Sequence, residues 1–134
     1  MRIEIDEREL MKALDKKLRH ITSSIIMDAK DITRERDIIA TGLYLKSFHS
    51  LKEKDCNYLI WNEAPYSKIV EFGSEPHSSP FNEILKWVMV KKKEEGEEAV
   101  RSAWAIVKHI EKYGLEPRFV LSDAIQRTKR RLKL

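Results

Sequence analysis

Cysteine is nearly absent from this chain. Cys56 is the one cysteine among 134 residues, which excludes an intramolecular disulfide and a zinc site built from several cysteines. A single cysteine fits a reducing compartment, and a free cysteine of this kind commonly fills space as a small apolar side chain. We therefore expect Cys56 to be a packing residue.

Long apolar runs and export signals are missing as well. No segment approaches the roughly 20 apolar residues that a membrane helix needs, and no basic-then-apolar leader opens the sequence. We expect a soluble chain that contacts no membrane and is not exported by the usual routes. The length predicts a single domain, 1–134, with a hydrophobic core that needs no covalent staple.

Patterns typical of catalytic and metal sites are also lacking. Cys56 and the four histidines show neither the spacing of a nucleophile and its base nor that of metal ligands. His49 lies among serines, with no second histidine or acid at ligand spacing. We therefore expect no enzyme activity, no metal and no cofactor. The histidines are His20, His49, His77 and His109.

Positive charge is scarce outside the C-terminal end. The chain has 26 Lys and Arg against 22 Asp and Glu, a net charge of +4. Residues 127–134, the basic C-terminal segment, carry five cations and no acid, so the remaining 126 residues sum to −1. The five cations are Arg127, Lys129, Arg130, Arg131 and Lys133. We expect them to finish a helix or to contact an acidic partner.

Nucleic-acid binding through this segment is the alternative function for the chain. A nucleic-acid binder typically spreads a basic face over its fold, and the balance of −1 elsewhere argues against such a face. Abundant charge of both signs, with only four glycines, is compatible with a thermophilic source.

What the sequence does contain begins with a long helical pattern. Residues 1–5 alternate apolar and polar side chains and indicate a short edge strand. Asp6, with Glu9 three residues later, matches a capping box. Apolar residues then recur at steps of three and four until about residues 34–37, which predicts one amphipathic helix, either laid across a sheet or forming a coiled-coil seam. These residues are Leu10, Leu14, Leu18, Ile21, Ile25, Ala29 and Ile32.

The next part of the chain predicts a hairpin. Residues 43–51 and 58–61 are rich in apolar and aromatic side chains, which favours two antiparallel strands. Residues 52–55 are polar and are expected to connect them. Gly42 precedes the first strand, where a glycine permits a turn.

Residues 64–77 form the central stretch of the sequence. Tyr66, Ile69 and Val70 have the spacing of one short helical face, and Gly73 is expected to close that helix in the left-handed conformation. Glu71 lies among these apolar residues, and a buried carboxylate requires a partner or hydrogen bonds. We interpret Glu71 as a structural acid, with catalysis as the alternative.

Three helices are expected to follow. Pro80 fits the first position of one helix, which closes at residues 91–93. The apolar band of a second helix runs from residue 99 to 110, and Gly114 ends that helix. Pro117 is expected to open the last helix, whose basic end suits its carbonyl pole.

Four motifs in this order resemble a family of phage proteins. They are Thr41-Gly42-x-Tyr44-x-x-Ser47; Ala64-Pro65-Tyr66-Ser67-x-x-Val70-Glu71-Phe72-Gly73-Ser74; Pro76-His77 with Trp87-Val88-x-x-Lys91; and Ala103-x-Ala105-Ile106-x-x-x-Ile110-x-x-x-Gly114 with Pro117-x-Phe119-x-x-x-x-Ala124. The family is that of the tail-completion, or head–tail joining, proteins of long-tailed double-stranded DNA phages. Tyr44 stands where the family usually has leucine, and Ser67 where it usually has alanine.

The resemblance implies an α+β fold, with a long N-terminal helix, a small antiparallel sheet and three C-terminal helices packed on it. It implies a structural virion protein without cofactor, in which the motif residues support the fold. The expected partners are further copies of the chain in a ring, with six copies in the virion as the candidate number, and the head connector and tail-tube proteins. The expected location is the virion neck, and the host cytoplasm during assembly. The source could be a virus, a resident provirus or a domesticated particle.

Overall fold

The computed structural model describes residues 1–38 and 42–134, so Thr41 of the first motif lies outside the described residues. Six helices and one antiparallel pair of strands form the described chain, which confirms the predicted α+β class. In chain order they are α1 (Glu7–Glu35), α2 (Leu43–Lys46), β1 (Phe48–Lys54), β2 (Asn57–Asn62), α3 (Ser67–Phe72), α4 (Phe81–Lys91), α5 (Gly96–Tyr113) and α6 (Val120–Leu132).

α1 begins and ends where the sequence predicts. The Asp6 side chain accepts a hydrogen bond from the backbone N–H of Arg8 at 2.9 Å and so caps the helix. The last helical residue is Glu35. The strand expected over residues 1–5 is wrong, because this segment is exposed and forms no strand. No strand in the described residues lies beside it, and a strand without a partner is not stable in water.

The buried stripe of α1 departs from the predicted stripe in the first half of the helix. Leu10 and Leu14 are 46% and 44% exposed, whereas Ala29 and Ile32 are fully buried. The difference follows from coverage. α6 packs on the second half of α1 and the hairpin meets the middle, so within residues 1–38 and 42–134 no apolar element covers the first turns.

The hairpin begins later than the sequence predicts. Leu43–Lys46 forms a single helical turn, α2, in place of the start of a strand, and β1 begins at Phe48. Residues 52–54, expected in the connection, belong to β1. The helical turn buries Tyr44 in the core, and burial of a large aromatic side chain outweighs a local strand preference.

β1 and β2 pair antiparallel, with Leu51 opposite Leu59. The pairing shifts between Lys52 and Lys54, next to a turn in which Cys56 has a positive φ of 60°. Both leucines are exposed, so the face of the hairpin that carries them has no covering element in the described chain.

Two hydrophobic clusters hold the helices together. The larger joins α1, α2, β1, α3 and α6, and the smaller joins α4 and α5. The larger contains Ala29, Ile32, Tyr44, Phe48, Ala64, Val120 and Ala124, and the smaller contains Val88, Ala99 and Ala103. The alanines leave room for neighbouring elements to approach closely.

The packing partners of the C-terminal helices refine the predicted arrangement. α6 packs chiefly on α1, α4 and α5 pack chiefly on each other, and the hairpin also packs on α1. α1 therefore contacts both the sheet and another helix. Of the helices in the described residues, none combines the length and apolar composition required to cross a bilayer.

Candidate functional site

Glu71 caps the N-terminus of α6 from a distant position in the chain. Its side chain is buried, with 8% of the residue exposed. One carboxylate oxygen accepts from the backbone N–H of Leu121 at 2.8 Å and the other from that of Ser122 at 3.0 Å. These N–H groups belong to the first turn of α6, where no carbonyl of the helix can accept from them. A buried structural acid requires hydrogen-bond partners, and the N–H groups of Leu121 and Ser122 are the partners of Glu71.

Backbone contacts fix the same carboxylate in place. The N–H of Arg118 donates to the carbonyl of Val70 at 2.8 Å, and the N–H of Phe119 donates to the carbonyl of Glu71 at 3.3 Å. The end of α3 is thus hydrogen-bonded to the residues that lead into α6. A negative charge at this position also interacts favourably with the positive end of the helix dipole.

The sequence predicts that Pro117 opens α6, whereas α6 begins at Val120. Phe119 occupies the capping position with a left-handed backbone, φ 47° and ψ 43°, and its side chain offers no acceptor. The acceptor comes from Glu71 instead, which explains how a helix can start here without a local capping residue.

Two glycines form a second contact between helix ends. Gly73 follows α3 with φ 71° and ψ −170°, and Gly114 follows α5 with φ 74° and ψ −159°. The positive φ of Gly73 agrees with the sequence prediction. The left-handed helical conformation expected there is wrong, because a ψ near 180° at positive φ lies in a region that only glycine readily adopts.

The residues after these glycines pair with each other. The N–H of Ser74 donates to the carbonyl of Leu115 at 2.9 Å, and the N–H of Leu115 donates back at 3.0 Å. A Cβ atom on Gly73 would lie within 3.0 Å of the backbone of residues 115–117, and one on Gly114 would meet the backbone of residues 74–75 as closely. We call residues 70–74 and 114–122 together the Glu71 junction.

Ser74 and His77 lie at the edge of the Glu71 junction in a geometry that does not suit nucleophilic catalysis. His77 Nδ1 is 3.3 Å from Ser74 Oγ and 2.8 Å from the carbonyl oxygen of Glu75. Because a carbonyl oxygen only accepts, the shorter contact requires a proton on Nδ1. This nitrogen is then a donor and cannot accept the serine proton as a general base does.

His49 has an acidic neighbour that the sequence analysis missed. Its Nε2 is 3.0 Å from a carboxylate oxygen of Glu63, which the hairpin brings across from the end of β2. His49 also lies beside the Trp61 ring at a centroid distance of 5.8 Å. Across residues 1–38 and 42–134, no three His, Cys, Asp or Glu side chains are grouped so as to hold a metal ion.

The structure brings only part of the predicted motif set together. Seven of those residues belong to the Glu71 junction or to α3 and its cap: Tyr66, Glu71, Phe72, Gly73, Gly114, Pro117 and Phe119. Gly42 and Ser47 flank α2, and the Ser47 hydroxyl donates to the carbonyl of Leu43 at 2.6 Å. Trp87 lies on α4, and Pro76 is exposed in the loop before it.

Comparisons with known proteins supply no relative for this set of residues. No family model, curated protein or solved structure matches the chain. The chemistry of the motif residues must therefore be judged from their geometry.

The basic C-terminal segment completes α6 and in part packs on α1. Arg127 donates to both carboxylate oxygens of Glu35 at 2.9 Å, which raises the pKa of Arg127 and lowers that of Glu35. Arg131 donates to Asp28 at 3.0 Å, and Asp28 also accepts from the buried Thr128 hydroxyl. Two of the five cations thus have acidic partners within the chain.

The other three cations, Lys129, Arg130 and Lys133, are exposed, and in the described part of the chain they have no acidic partner within salt-bridge distance. They are the residues of this segment that remain available to a partner. Lys129 and Arg130 lie in the last turn of the helix, where positive charge is favourable.

Asp15 is a structural hub that the sequence analysis did not identify. It is buried and accepts from Lys52 Nζ at 3.0 Å, the Cys56 N–H at 3.1 Å and the Tyr58 hydroxyl at 3.1 Å. The Cys56 N–H contributes most to holding the pKa of Asp15 below its usual value, followed by the Lys52 ammonium. All three donors come from the hairpin, so Asp15 joins α1 to it.

Proposed function

We propose that the chain is a structural virion protein, a head–tail joining (tail-completion) component that assembles as a ring at the neck between head connector and tail tube. The order of the four motifs supports this proposal, and the geometry of Glu71 carries it. The residue in the motif set with the clearest potential for catalysis serves as a helix cap. Both of its oxygens accept backbone hydrogen bonds, and little of it is exposed.

This geometry favours a structural role over catalysis. A general acid or base must lie within hydrogen-bond reach of a substrate proton, whereas the Glu71 carboxylate faces the N–H groups of α6. The other conspicuous motif residues, Gly73 and Gly114, are required by backbone pairing between two helix ends. We therefore interpret the motif as the signature of a joint that holds α3, α5 and α6 in one arrangement.

Large apolar side chains next to this joint support an assembly role. Phe72 and Tyr113, which precede the two glycines, are 69% and 61% exposed. Leu115 and Phe119 are also exposed. Clusters of exposed apolar side chains commonly mark interaction sites. In this proposal the junction positions them for contact with neighbouring subunits, the head connector or the tail-tube proteins.

The proposal includes the location and the chemistry expected of such a protein. The chain is placed in the virion neck after assembly and in the host cytoplasm before it. It works without a cofactor and catalyses no reaction. Nucleic-acid binding is the second candidate, and the observation that favours it is the exposure of Lys129, Arg130 and Lys133.

A joining assay tests the proposal. In the virus or provirus that encodes the chain, removal of its gene should leave DNA-filled heads and complete tails as separate particles in electron micrographs. Added purified protein should join them. We expect the Phe72→Ser protein to join heads and tails poorly. The Lys129→Gln protein, which is also changed at one exposed position, should join them like the parent. Tailed infectious particles formed at normal yield without the chain would overturn the proposal.

A further inference from the structure

We infer that the groove between α1 and the hairpin receives the acidic α4–α5 turn of a second copy of this chain. This inference deepens the proposed ring assembly and rests on it, because it names the two surfaces through which neighbouring copies make contact. It depends on three observations: the charge of the groove, the charge of the turn, and their positions at opposite ends of α1.

The groove is a basic depression of about 670 Å³ on the uncovered first half of α1. Five basic and three acidic side chains line it. Lys52 and Arg19 are engaged with Asp15. Lys12 and Lys16 are exposed, and within the described residues they have no acidic partner at salt-bridge distance. Met11 also lines the groove, next to the exposed Leu10 and Leu14.

The α4–α5 turn carries the opposite charge. Residues 92–98 contain two lysines and four glutamates, which gives −2 against +2 for the groove. Glu97 and Glu98 lie in the first turn of α5, where they also favour the helix dipole. Both are exposed, as are Val90 and Val100 on the flanking helices. Each surface thus combines exposed apolar side chains with charge complementary to the other.

The two surfaces cannot meet within one molecule. Lys91, the last residue of α4, forms an ion pair with Asp37, just beyond the end of α1. The turn therefore starts at the C-terminal end of α1, whereas the groove lies along Glu7 to Arg19. At 1.5 Å per residue, the 16 residues from Arg19, the groove residue nearest to that end, to Glu35 span about 24 Å of helix. The four residues between α4 and α5, 92–95, can reach only about 14 Å when fully extended.

A contact between two different surfaces can be made head-to-tail, with each copy using its turn on one neighbour and its groove on the other. A pair of copies then retains one free surface of each kind, whereas a pair that exchanged both contacts about a two-fold axis would stop at a dimer. Such heterologous contacts close into a ring when the rotation between copies fits, and otherwise extend into a filament. The inferred contact therefore provides a physical route to the proposed ring.

Charge reversal on each surface tests the inference by sedimentation velocity of the full chain at low and high salt. The groove variant is Lys12→Glu with Lys16→Glu, and the turn variant is Glu97→Lys with Glu98→Lys. The parent should self-associate at low salt and dissociate as salt screens the contact. Each variant alone should remain monomeric, because its groove and its turn then carry charge of the same sign.

An equimolar mixture of the two variants is the decisive sample. The unchanged acidic turn of the groove variant fits the unchanged basic groove of the turn variant, and the two reversed surfaces fit each other. The mixture should therefore recover assemblies of the parental size. The control variant, Lys129→Glu with Arg130→Glu on α6, changes the net charge by the same −4 as the groove variant and should assemble like the parent. Thermal melting of each variant verifies that it is folded.

Three results would overturn the inference: a parent that stays monomeric at low salt, folded variants that assemble like the parent, or a mixture that stays monomeric. The result is separable from that of the joining assay. A parental ring unaffected by both variants would reject this contact and leave the proposed function standing. Normal head–tail joining without the chain would reject the proposed function, whatever the sedimentation shows.

Discussion

Glu71 accepts hydrogen bonds from N–H groups that lie 50 and 51 residues further along the chain. A side chain at this distance replaces the local capping residue that α6 lacks, since Phe119 has no side-chain acceptor. The same carboxylate places negative charge at the positive end of the helix. The stability of the junction should therefore depend on both the acceptors and the charge of this one residue.

Glu71→Gln tests that dependence. The amide retains one acceptor oxygen, turns an NH₂ group toward a backbone donor and removes the charge. We expect a loss of about 1–2 kcal/mol in the free energy of unfolding, the usual cost of a lost helix cap. Urea unfolding measures it, with exposed Glu116→Gln near the same junction as the matched control. Full stability combined with the loss of a hydrolytic or transfer activity would instead make Glu71 a catalytic acid.

Asp15 makes a pH-dependent contribution to stability. Its pKa is lowered by the Cys56 N–H and then by Lys52, so folding favours the charged carboxylate. The contribution is complete above the unfolded pKa of about 3.9 and is lost as the pH falls through the lower folded pKa. Protonation removes the charge that the hairpin donors stabilise.

Asp15→Asn should therefore be less stable than the parent at pH 7, and the gap should narrow below a pH of about 3.9. Urea unfolding between neutral and acidic pH checks this expectation. Glu9→Gln, an exposed acid on the same helix, should follow the parent throughout. A gap that stays constant across this range would show that the titration of Asp15 is not linked to folding.

Part of the fold could be predicted from residues that are close together in the sequence. The Asp6 cap and the three- and four-residue steps predicted the extent of α1 correctly, because capping and helical periodicity depend on neighbouring positions. The hubs at Asp15 and Glu71 depend on partners that lie 37–51 residues away. No local pattern contains such pairings, so the need for a partner was predictable at Glu71 while its identity was not.

At the scale of elements, three helices meet at the Glu71 junction through their ends. Gly73 and Gly114 adopt nearly the same conformation and allow the backbones after α3 and α5 to pair. Each position is demanding in two ways, because φ is positive and a Cβ would collide with the facing backbone. Such a joint fixes the relative position of helices that share little side-chain packing.

Gly73→Ala and Gly42→Ala separate these two demands. Both glycines have positive φ, but a Cβ on Gly42 would meet nothing within 4 Å. We expect Gly42→Ala to cost about 1–2 kcal/mol from backbone strain alone. Gly73→Ala should cost more for two reasons: its φ and ψ lie in a region that only glycine readily adopts, unlike those of Gly42, and the backbone pairing with Leu115 must also shift. Thermal or urea unfolding of both variants gives the comparison, and equal losses would refute the close approach at Gly73.

The predicted start of the hairpin is wrong because tertiary packing outweighs the local preference for a strand. Residues 43–46 favour a strand by composition, but as α2 they bury Tyr44 against Phe48, with ring centroids 5.0 Å apart, and against Tyr66 at 6.2 Å. When the composition of a segment suits both a helix and a strand, the elements that pack on the segment determine which of the two forms. The same cause explains α1, whose predicted apolar stripe is exposed where none of the described elements lies over it.

The basic C-terminal segment is best tested without truncation, because Thr128 is fully buried and α6 continues to Leu132. Replacing Lys129, Arg130 and Lys133 by glutamine removes the cations that have no acidic partner among the described residues, and it retains the ion pairs of α6 with α1. We expect neither the parent nor this variant to bind DNA at about 0.15 M salt, since three phosphate contacts give only a modest, strongly salt-sensitive affinity. Filter binding against salt concentration measures it.

A parent that binds DNA at that salt concentration, together with a variant that does not, would favour the nucleic-acid alternative. Measured at lower salt, where both proteins bind, the slope of log affinity against log salt should then be less steep for the variant, by about 0.9 for each phosphate contact removed. Equal stability of the two proteins in urea is the required control.

At the scale of the whole molecule, α1 is the common support of the fold. α6 and the hairpin pack along it, and the α4–α5 pair is attached near its far end through Lys91 and Asp37. In the described part of the chain, nothing covers the first turns of α1, one face of the hairpin or the aromatic side chains beside the Glu71 junction. A monomer that leaves apolar surface at both ends of its longest helix is suited to contacts with neighbours on two sides.

The α+β class was implied by the resemblance, but the way in which the helices pack was not. Periodicity identified helices and strands without indicating that α6 would lie on α1 or that α4 and α5 would form a separate pair. Those choices depend on shape and on ion pairs such as Arg127 with Glu35, which lie 92 residues apart. Assembly surfaces are still less predictable, because exposed apolar side chains look like core residues in a sequence.

The location and copy number of this chain in purified particles test the proposed neck ring directly. Particles from the producing host would be washed in high salt, quantified by mass spectrometry and imaged by cryo-electron microscopy. We expect a small fixed number of copies, arranged as one ring at the head-proximal end of the tail. Particles complete in head and tail, with no copy of the chain at the neck, would contradict it.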